Sequence, residues 1–68
     1  MDFGKTLRKL QEQRGVKAAE LARRLGVSKQ MVSYTASRSD VKISTMLDYC
    51  NALGISYVEF MREGINAK

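Results

Sequence analysis

Residues 18–37 read AAELARRLGVSKQMVSYTAS, and this stretch decides the fold. Leu21 and Leu25 lie four residues apart and therefore share one face of a helix. Gly26 follows the last leucine, at a position where a helix end favours a residue that tolerates positive φ. Ser28 is a good N-cap for a new helix because its hydroxyl can accept from a free backbone N–H. The stretch therefore predicts a helix, a tight glycine turn and a second, capped helix.

This layout is that of a helix-turn-helix, and it resembles the motif of phage repressors of the Cro-like, XRE-like family. The resemblance rests on the pattern Leu21-Ala22-x-x-Leu25-Gly26-Val27-Ser28-x-x-x-Val32-Ser33. Leu7-Arg8-x-Leu10 is similar to the family's first helix, and Ile43-x-x-Met46-Leu47-x-x-Cys50-x-Ala52-Leu53-Gly54-Ile55-Ser56 to its fourth helix and the turn after it. The resemblance implies an all-α, five-helix, lambda-repressor-like bundle with a central helix-turn-helix. It implies a single DNA-binding domain over residues 1–68.

Capping residues predict where the first two helices begin. Asp2 is placed to cap a first helix that runs to about Arg14. Lys17 stands where the family has a capping Ser or Thr, and Ala18 where it has a glutamine that grips a DNA phosphate. The second helix is therefore expected to lack its cap, at a cost of about 1 kcal/mol.

The third helix is predicted from about Lys29 to Ser37, with Val32 in the core. Thr35 and Ala36 replace a large apolar residue and a glutamate that are frequent in the family. The Thr35 hydroxyl is expected to bond back to the carbonyl of Met31, which permits burial in a helix. The second half of this helix is consequently less strongly specified than the first.

A fourth helix is predicted from about Ser44 to Leu53, and a fifth after it. The core side of the fourth helix is predicted to carry Ile43, Met46, Leu47, Cys50 and Leu53. Ser56 and Glu59 have the spacing of a capping box that opens the fifth helix, and Tyr57 and Phe60 are expected to cover the core. Residues 64–68 are predicted to form a frayed tail.

The formal net charge of +5 is unevenly distributed along the 68 residues. Residues 1–42 carry ten Lys/Arg and four Asp/Glu, a net of +6, whereas residues 43–68 carry two and three, a net of −1. The basic part coincides with the proposed DNA-binding part, and this favours a nucleic-acid partner. A surface that is basic only for solubility is the alternative interpretation.

Several function classes lack the residues they need. The sequence has no histidine and one cysteine, so it predicts no metal site, no cofactor and no catalytic nucleophile with a histidine partner. Cys50 is expected to be a small buried hydrophobe. With no signal peptide and no apolar run of about 20 residues, we expect a cytoplasmic, non-enzymatic protein with no membrane or small-molecule partner. The family resemblance implies that the protein is prokaryotic or phage-encoded and nucleoid-associated. We also expect no separate oligomerisation or effector domain.

The candidate base-contacting residues lie on the exposed side of the third helix. They are Lys29, Gln30, Ser33 and Tyr34. A lysine can donate to guanine O6 and N7, and a glutamine can pair with adenine N6 and N7. Tyr34 is expected to touch a thymine methyl group or donate to a phosphate. The alternatives are solvated side chains for Lys29 and Gln30, and for Tyr34 a ring that lies across the rim of the core.

Residues at the start of the second helix and on either side of the third are expected to contact the sugar-phosphate backbone, which positions the protein without specifying sequence. They are Lys17, Ser28, Arg38, Ser39 and Lys42. Arg23 and Arg24 are instead expected on a solvated helix face.

An apolar stripe at the C-terminal end predicts a dimer interface. Val58, Met61 and Ile65 follow one another at spacings of three and four. The stripe is short, so we expect a weak homodimer that a pseudo-palindromic operator pulls together. The alternative is that these residues close the core of a monomer.

These observations predict a sequence-specific DNA-binding transcriptional regulator, Cro-like or repressor-like, that occupies an operator and blocks polymerase. The competing hypothesis is a protein-interaction module on the same fold, antitoxin-like or regulator-binding. It is supported by the departures at Ala18, Thr35 and Ala36, which weaken the DNA-binding pattern.

Overall fold

A computed structural model describes residues 1–66 as five α-helices. The helices are α1 (Phe3–Arg14), α2 (Ala18–Leu25), α3 (Lys29–Ala36), α4 (Ile43–Leu53) and α5 (Tyr57–Asn66). No strand occurs within this range. The all-α, five-helix prediction with a central helix-turn-helix is therefore confirmed.

The predicted caps define the first three helices. The Asp2 carboxylate accepts from the backbone N–H of Lys5 at 3.0 Å and opens α1. The Ser28 hydroxyl accepts from the N–H of Met31 at 3.1 Å and opens α3. Gly26 ends α2 with φ of 71°, the left-handed conformation that the turn requires. Lys17 makes no side-chain cap to α2, as its position in the sequence predicts.

A capping box opens α5. The backbone N–H of Glu59 donates to the Ser56 hydroxyl at 3.1 Å, and the N–H of Ser56 donates to the Glu59 carboxylate at 3.4 Å. The two residues thereby satisfy each other's free backbone donors, which confirms the prediction made from their spacing.

The prediction of a frayed tail is wrong for residues 64–66, because α5 continues to Asn66. Gly64 is buried, and its lack of a side chain lets the end of α5 lie close to Met1 and Thr6. Glu63 also accepts from Gln13 of α1 at 3.1 Å. Packing against α1 therefore holds this end in the helix; Ala67 and Lys68 lie outside the described residues.

The core is built around Phe3 at the start of α1. Its ring meets Tyr49 edge-on, with centroids 5.6 Å apart, and stacks on Phe60 at 5.5 Å. Phe3 and Phe60 are both completely buried. Cys50 is buried in the same core, and burial raises the pKa of its thiol. It is the small buried hydrophobe that the sequence predicts.

Three predicted core residues are exposed instead. Ile43 is 64 % exposed, Leu47 42 % and Tyr57 38 %. Ile43 and Tyr57 are the first residues of α4 and α5. Each precedes the first buried residue of its helix by three positions, so it projects beyond the core. Leu47 lies at the edge of the buried stripe of α4, whose inner side is formed by Met46, Tyr49, Cys50 and Leu53.

Candidate nucleic-acid interface

Helix α3 has one buried and one exposed face. Val32, Thr35 and Ala36 are buried against the other helices. The four residues predicted to meet base edges are all exposed, namely Lys29, Gln30, Ser33 and Tyr34. Tyr34 is 59 % exposed, so its ring projects from α3 and does not lie across the rim of the core. The helix thus presents an exposed face with three polar side chains and one aromatic ring, and Met31 is exposed beside them.

The second half of α3 is held by its own side chains. The buried Thr35 hydroxyl donates to the Met31 carbonyl at 2.9 Å, as predicted. The Ser37 hydroxyl donates to the Tyr34 carbonyl at 2.6 Å, just beyond the helix end. Thr35 therefore leaves no unsatisfied polar atom in the core, and α3 is helical to Ala36.

The five residues expected to contact phosphates are also exposed. Lys17 and Ser28 are the N-caps of α2 and α3. Arg38, Ser39 and Lys42 lie in the segment that joins α3 to α4. Helix N-termini and exposed cations both attract phosphate oxygens. Ser28, Arg38, Ser39 and Lys42 thus lie at the two ends of α3, and Lys17 lies at the start of the preceding helix.

The loop after α3 is attached to the start of α1. The N–H of Phe3 donates to the Ser39 carbonyl at 3.0 Å, and the N–H of Gly4 donates to the Arg38 carbonyl at 2.9 Å. These bonds use backbone donors that the first turn of a helix leaves free. They hold the main chain of Arg38 and Ser39 against the start of α1.

Arg38 contacts Tyr34 across the end of α3. One terminal nitrogen of its guanidinium, Nη1, donates to the Tyr34 hydroxyl oxygen at 2.9 Å. Nε of the same group donates to the Asp40 carbonyl at 3.3 Å. The guanidinium carbon lies 5.7 Å from the centre of the tyrosine ring, close to the limit of a cation–π contact. The hydrogen bond is therefore the main contact of the pair.

Two further arginines are occupied by an acidic partner on α2. Arg24 Nε donates to the Glu20 carboxylate at 2.9 Å, and Arg23 pairs with the other carboxylate oxygen. The hydrogen bond from Arg24 keeps the pKa of Glu20 below its ordinary value, with smaller contributions from Arg23. Arg24 also donates to the Ala52 carbonyl at 2.7 Å and so joins α2 to α4. Both arginines are exposed as predicted, and they engage protein groups.

The predicted apolar stripe on α5 is largely exposed. Val58 is 61 % exposed and Ile65 63 %, whereas Met61 is half-buried against the core. Tyr57, which the sequence placed over the core, adds a partly exposed ring beside Val58. The apolar surface at this end is therefore larger than the three residues predicted from spacing alone.

The sequence analysis does not predict the contact between Tyr34 and Arg38. The signal was present, because the two residues are four apart and such pairs meet on a helix surface. Arg38 lies beyond the predicted end of the helix, and this hid the pairing.

The fold and the exposed α3 together define a small helix-turn-helix protein of the DNA-binding class. A family model described as a helix-turn-helix domain matches residues 2–60. The chain therefore belongs to the helix-turn-helix domain family, a general family of DNA-binding regulators that are typically non-enzymatic. No curated protein and no solved structure matches the chain. Within residues 1–66, no helix has the length and apolar character needed to cross a membrane.

Proposed function

We propose that this protein is a sequence-specific transcriptional regulator that reads the major groove of DNA with α3. The observation that carries the proposal is the exposed face of α3, where Lys29, Gln30, Ser33 and Tyr34 all point away from the core. The N-terminal residues of a recognition helix contact base edges in this class of motif. Lys29 and Gln30 are the first two residues of α3.

Each of these residues has a defined role in the proposal. Lys29 donates to guanine O6 or N7, and Gln30 makes two hydrogen bonds to adenine. Ser33 hydrogen-bonds to the edge of either guanine or adenine, and Tyr34 contacts a thymine methyl group or a phosphate. Lys17, Ser28, Arg38, Ser39 and Lys42 bind phosphates and set the register of α3 in the groove.

We further propose that the protein works as a weak dimer on a pseudo-palindromic operator. One recognition helix reads only a few base pairs, which is too little to find a single site in a genome. The exposed stripe of Val58, Met61 and Ile65 supplies a self-complementary surface, as a two-fold dimer requires. A dimer bound to the operator prevents polymerase from binding there. The protein would then act as a Cro-like or phage repressor in a bacterial cytoplasm.

A protein-interaction role, antitoxin-like or regulator-binding, is the competing hypothesis. Two of the three departures that supported it concern Thr35 and Ala36, and both side chains are buried. They affect the packing of α3 and leave its outer face unchanged. The remaining departure, Ala18, removes at most one phosphate contact. These observations favour a DNA-binding role over a protein-interaction role.

The salt dependence of binding to mixed-sequence DNA tests the proposal. Each phosphate neutralised by Lys29, Arg38, Lys42 and their neighbours adds about −0.9 to the slope of log affinity against log salt. We expect a steep negative slope, together with a preferred site after selection from random DNA. A flat slope, or no binding to any sequence at low salt, would contradict the proposal and favour the protein-interaction role.

A further inference from the structure

We infer that Arg38 is a positioning residue for Tyr34, and that the two side chains act as one unit in reading DNA. The inference rests on the proposed function and extends it. If it holds, a residue counted among the phosphate contacts also determines which base is preferred at the position that Tyr34 faces.

The argument begins with the main chain of Arg38, which is fixed on both sides. Its N–H donates to the Thr35 carbonyl at 3.1 Å, and its carbonyl accepts from Gly4 at 2.9 Å. Its Nε donates to the Asp40 carbonyl at 3.3 Å. The guanidinium is therefore held by its own loop before any DNA is present.

The second step concerns the tyrosine. Without a partner, a side chain that is 59 % exposed samples several rotamers, and its ordering on binding costs free energy. The hydrogen bond from Arg38 Nη1 to the hydroxyl at 2.9 Å selects one of them. The pairing orders the Tyr34 side chain before DNA binds, so less free energy is lost on binding. It also fixes the direction in which the ring projects from α3.

The third step is the hydrogen-bond inventory. A tyrosine hydroxyl has one proton to donate, and an arginine has five N–H donors in a planar fork. Because the hydroxyl oxygen accepts from Arg38, its own proton is left to donate to an acceptor on DNA. The fork uses Nε and one Nη1 proton within the protein, so donors on Nη2 remain to bind a phosphate. The pair thus links the Tyr34 ring, which faces a base, to an Arg38 contact with a DNA phosphate.

Matched charge removal distinguishes this role from a simple phosphate contact. Arg38→Met and Lys42→Met each remove one positive charge from the same loop, and each should reduce the salt slope by about 0.9. Only Arg38→Met should also relax the base preference at the position that Tyr34 faces, as determined by selection from random DNA. Tyr34→Phe should relax the same position and lower affinity for the preferred site about fivefold to tenfold.

Two further variants complete the test. Arg38→Lys keeps the charge but loses the planar fork, so it should preserve the salt slope and still relax that base preference. The double variant Tyr34→Phe with Arg38→Lys should lose less affinity than the product of the two single losses, because both remove one unit. Additive losses, or an unchanged base preference in Arg38→Lys and Arg38→Met, would overturn the inference.

The pairing can also be measured without DNA. In the free protein, nuclear Overhauser contacts between the Tyr34 ring protons and the Arg38 side chain should be present, and the Tyr34 χ1 couplings should indicate one rotamer. Arg38→Met should restore rotamer averaging. Averaging already present in the parent protein would overturn the inference even if DNA binding is established. Failure to bind any DNA would instead contradict the proposed function.

Discussion

The backbone N–H of Gly4 donates to the carbonyl of Arg38 at 2.9 Å and joins the start of α1 to the loop that follows α3. The two segments approach so closely that a Cβ atom on Gly4 would overlap the Ala36 carbonyl oxygen. Both neighbours of Gly4 in this contact are backbone atoms, which cannot move aside as a side chain can. The C-terminal end of the proposed recognition helix, α3, therefore packs against Gly4, where there is no room for a side chain.

The first prediction is that Gly4→Ala destabilises the protein far more than Gly64→Ala. Both residues are buried glycines within helices, so the gain in helix propensity, about 1 kcal/mol, is the same for both. At Gly64 the closest atoms belong to the flexible Met1 side chain. We expect a loss of about 3 kcal/mol or more at Gly4, in the upper range for overpacking, and a change within about 1 kcal/mol at Gly64.

Urea unfolding of the two variants measures this difference. A single core of this size supplies only about 3–5 kcal/mol, so Gly4→Ala should retain at most about 2 kcal/mol and unfold at a much lower urea concentration than Gly64→Ala. Equal midpoints for the two variants would show that the contact between α1 and the loop relaxes at little cost.

The helix boundaries could be predicted from the sequence because they depend on local chemistry. Asp2, Ser28, Gly26 and the pair Ser56 and Glu59 each act within one turn of chain, and each acts as predicted. The end of α5 could not be predicted in the same way. It is held by packing of Gly64 against α1, a contact between residues far apart in sequence.

The errors in the core have the same origin. Ile43 and Tyr57 have the spacing of core residues, but periodicity does not reveal how far a core extends along a helix. Each stands in a first turn that projects beyond the neighbouring helices. The exposed face of α3 was predictable, since Val32 defines its buried side. The contact of Tyr34 with Arg38 depends on the course of the loop, which the sequence leaves open.

Thr35→Val is predicted to stabilise the fold by up to about 1 kcal/mol. The hydroxyl donates only to the Met31 carbonyl, which already has a partner within the helix, so its removal orphans no buried group. The added methyl group gains about 0.8 kcal/mol of burial. Thr35→Ser is the control, since it keeps the hydroxyl and loses the methyl group. If thermal melts show that Thr35→Val is less stable than the parent and that Thr35→Ser is equally stable, the Thr35 hydroxyl is required for the stability of the fold.

Glu20 should make stability depend on pH in a defined direction. Its pKa is lowered in the folded protein, chiefly by the hydrogen bond from Arg24. A lowered pKa means that the carboxylate stabilises the fold above its unfolded pKa, and that this contribution is lost as the pH falls. The melting temperatures of the parent and Glu20→Gln should therefore differ most at neutral pH. They should converge as the pH falls below about 4.3, the ordinary value for glutamate.

Glu12→Gln controls for the loss of a negative charge as such. Glu12 is exposed on α1 and forms no ion pair within residues 1–66. Its substitution removes one negative charge without breaking an ion pair, so at neutral pH it should change the melting temperature less than Glu20→Gln does. A difference between the parent and Glu20→Gln that stays constant with pH would show that the ion pairs of Glu20 do not contribute to stability.

Gln30 and Lys42 should separate base reading from positioning. Gln30→Ala is expected to cost about 1–3 kcal/mol on the preferred site and to relax the preference at one base pair. Lys42→Ala should weaken binding to all sequences about equally, since a phosphate contact carries no sequence information. Titrating both variants with preferred-site DNA and with random-sequence DNA distinguishes a base contact from a phosphate contact. An equal effect of Gln30→Ala on the two DNAs would exclude the base contact.

The last prediction concerns the α5 stripe. In a two-fold dimer each subunit contributes the same surface, so one substitution places two like charges across the axis. Met61→Glu should therefore weaken self-association in sedimentation and reduce affinity for an operator with two half-sites. Met61 is half-buried against the core, so Val58→Glu at a 61 % exposed position is the cleaner variant. Neither should change affinity for a single half-site.

Ile43→Glu provides the matched control, because Ile43 is 64 % exposed and lies on α4, outside the stripe of α5. It introduces the same charge at a site of similar exposure and should leave self-association unchanged. A dimer that depends on general surface apolarity would be weakened equally by Ile43→Glu and Val58→Glu. If Val58→Glu and Met61→Glu leave both self-association and two-site affinity at the parent level, the stripe is not a dimer interface.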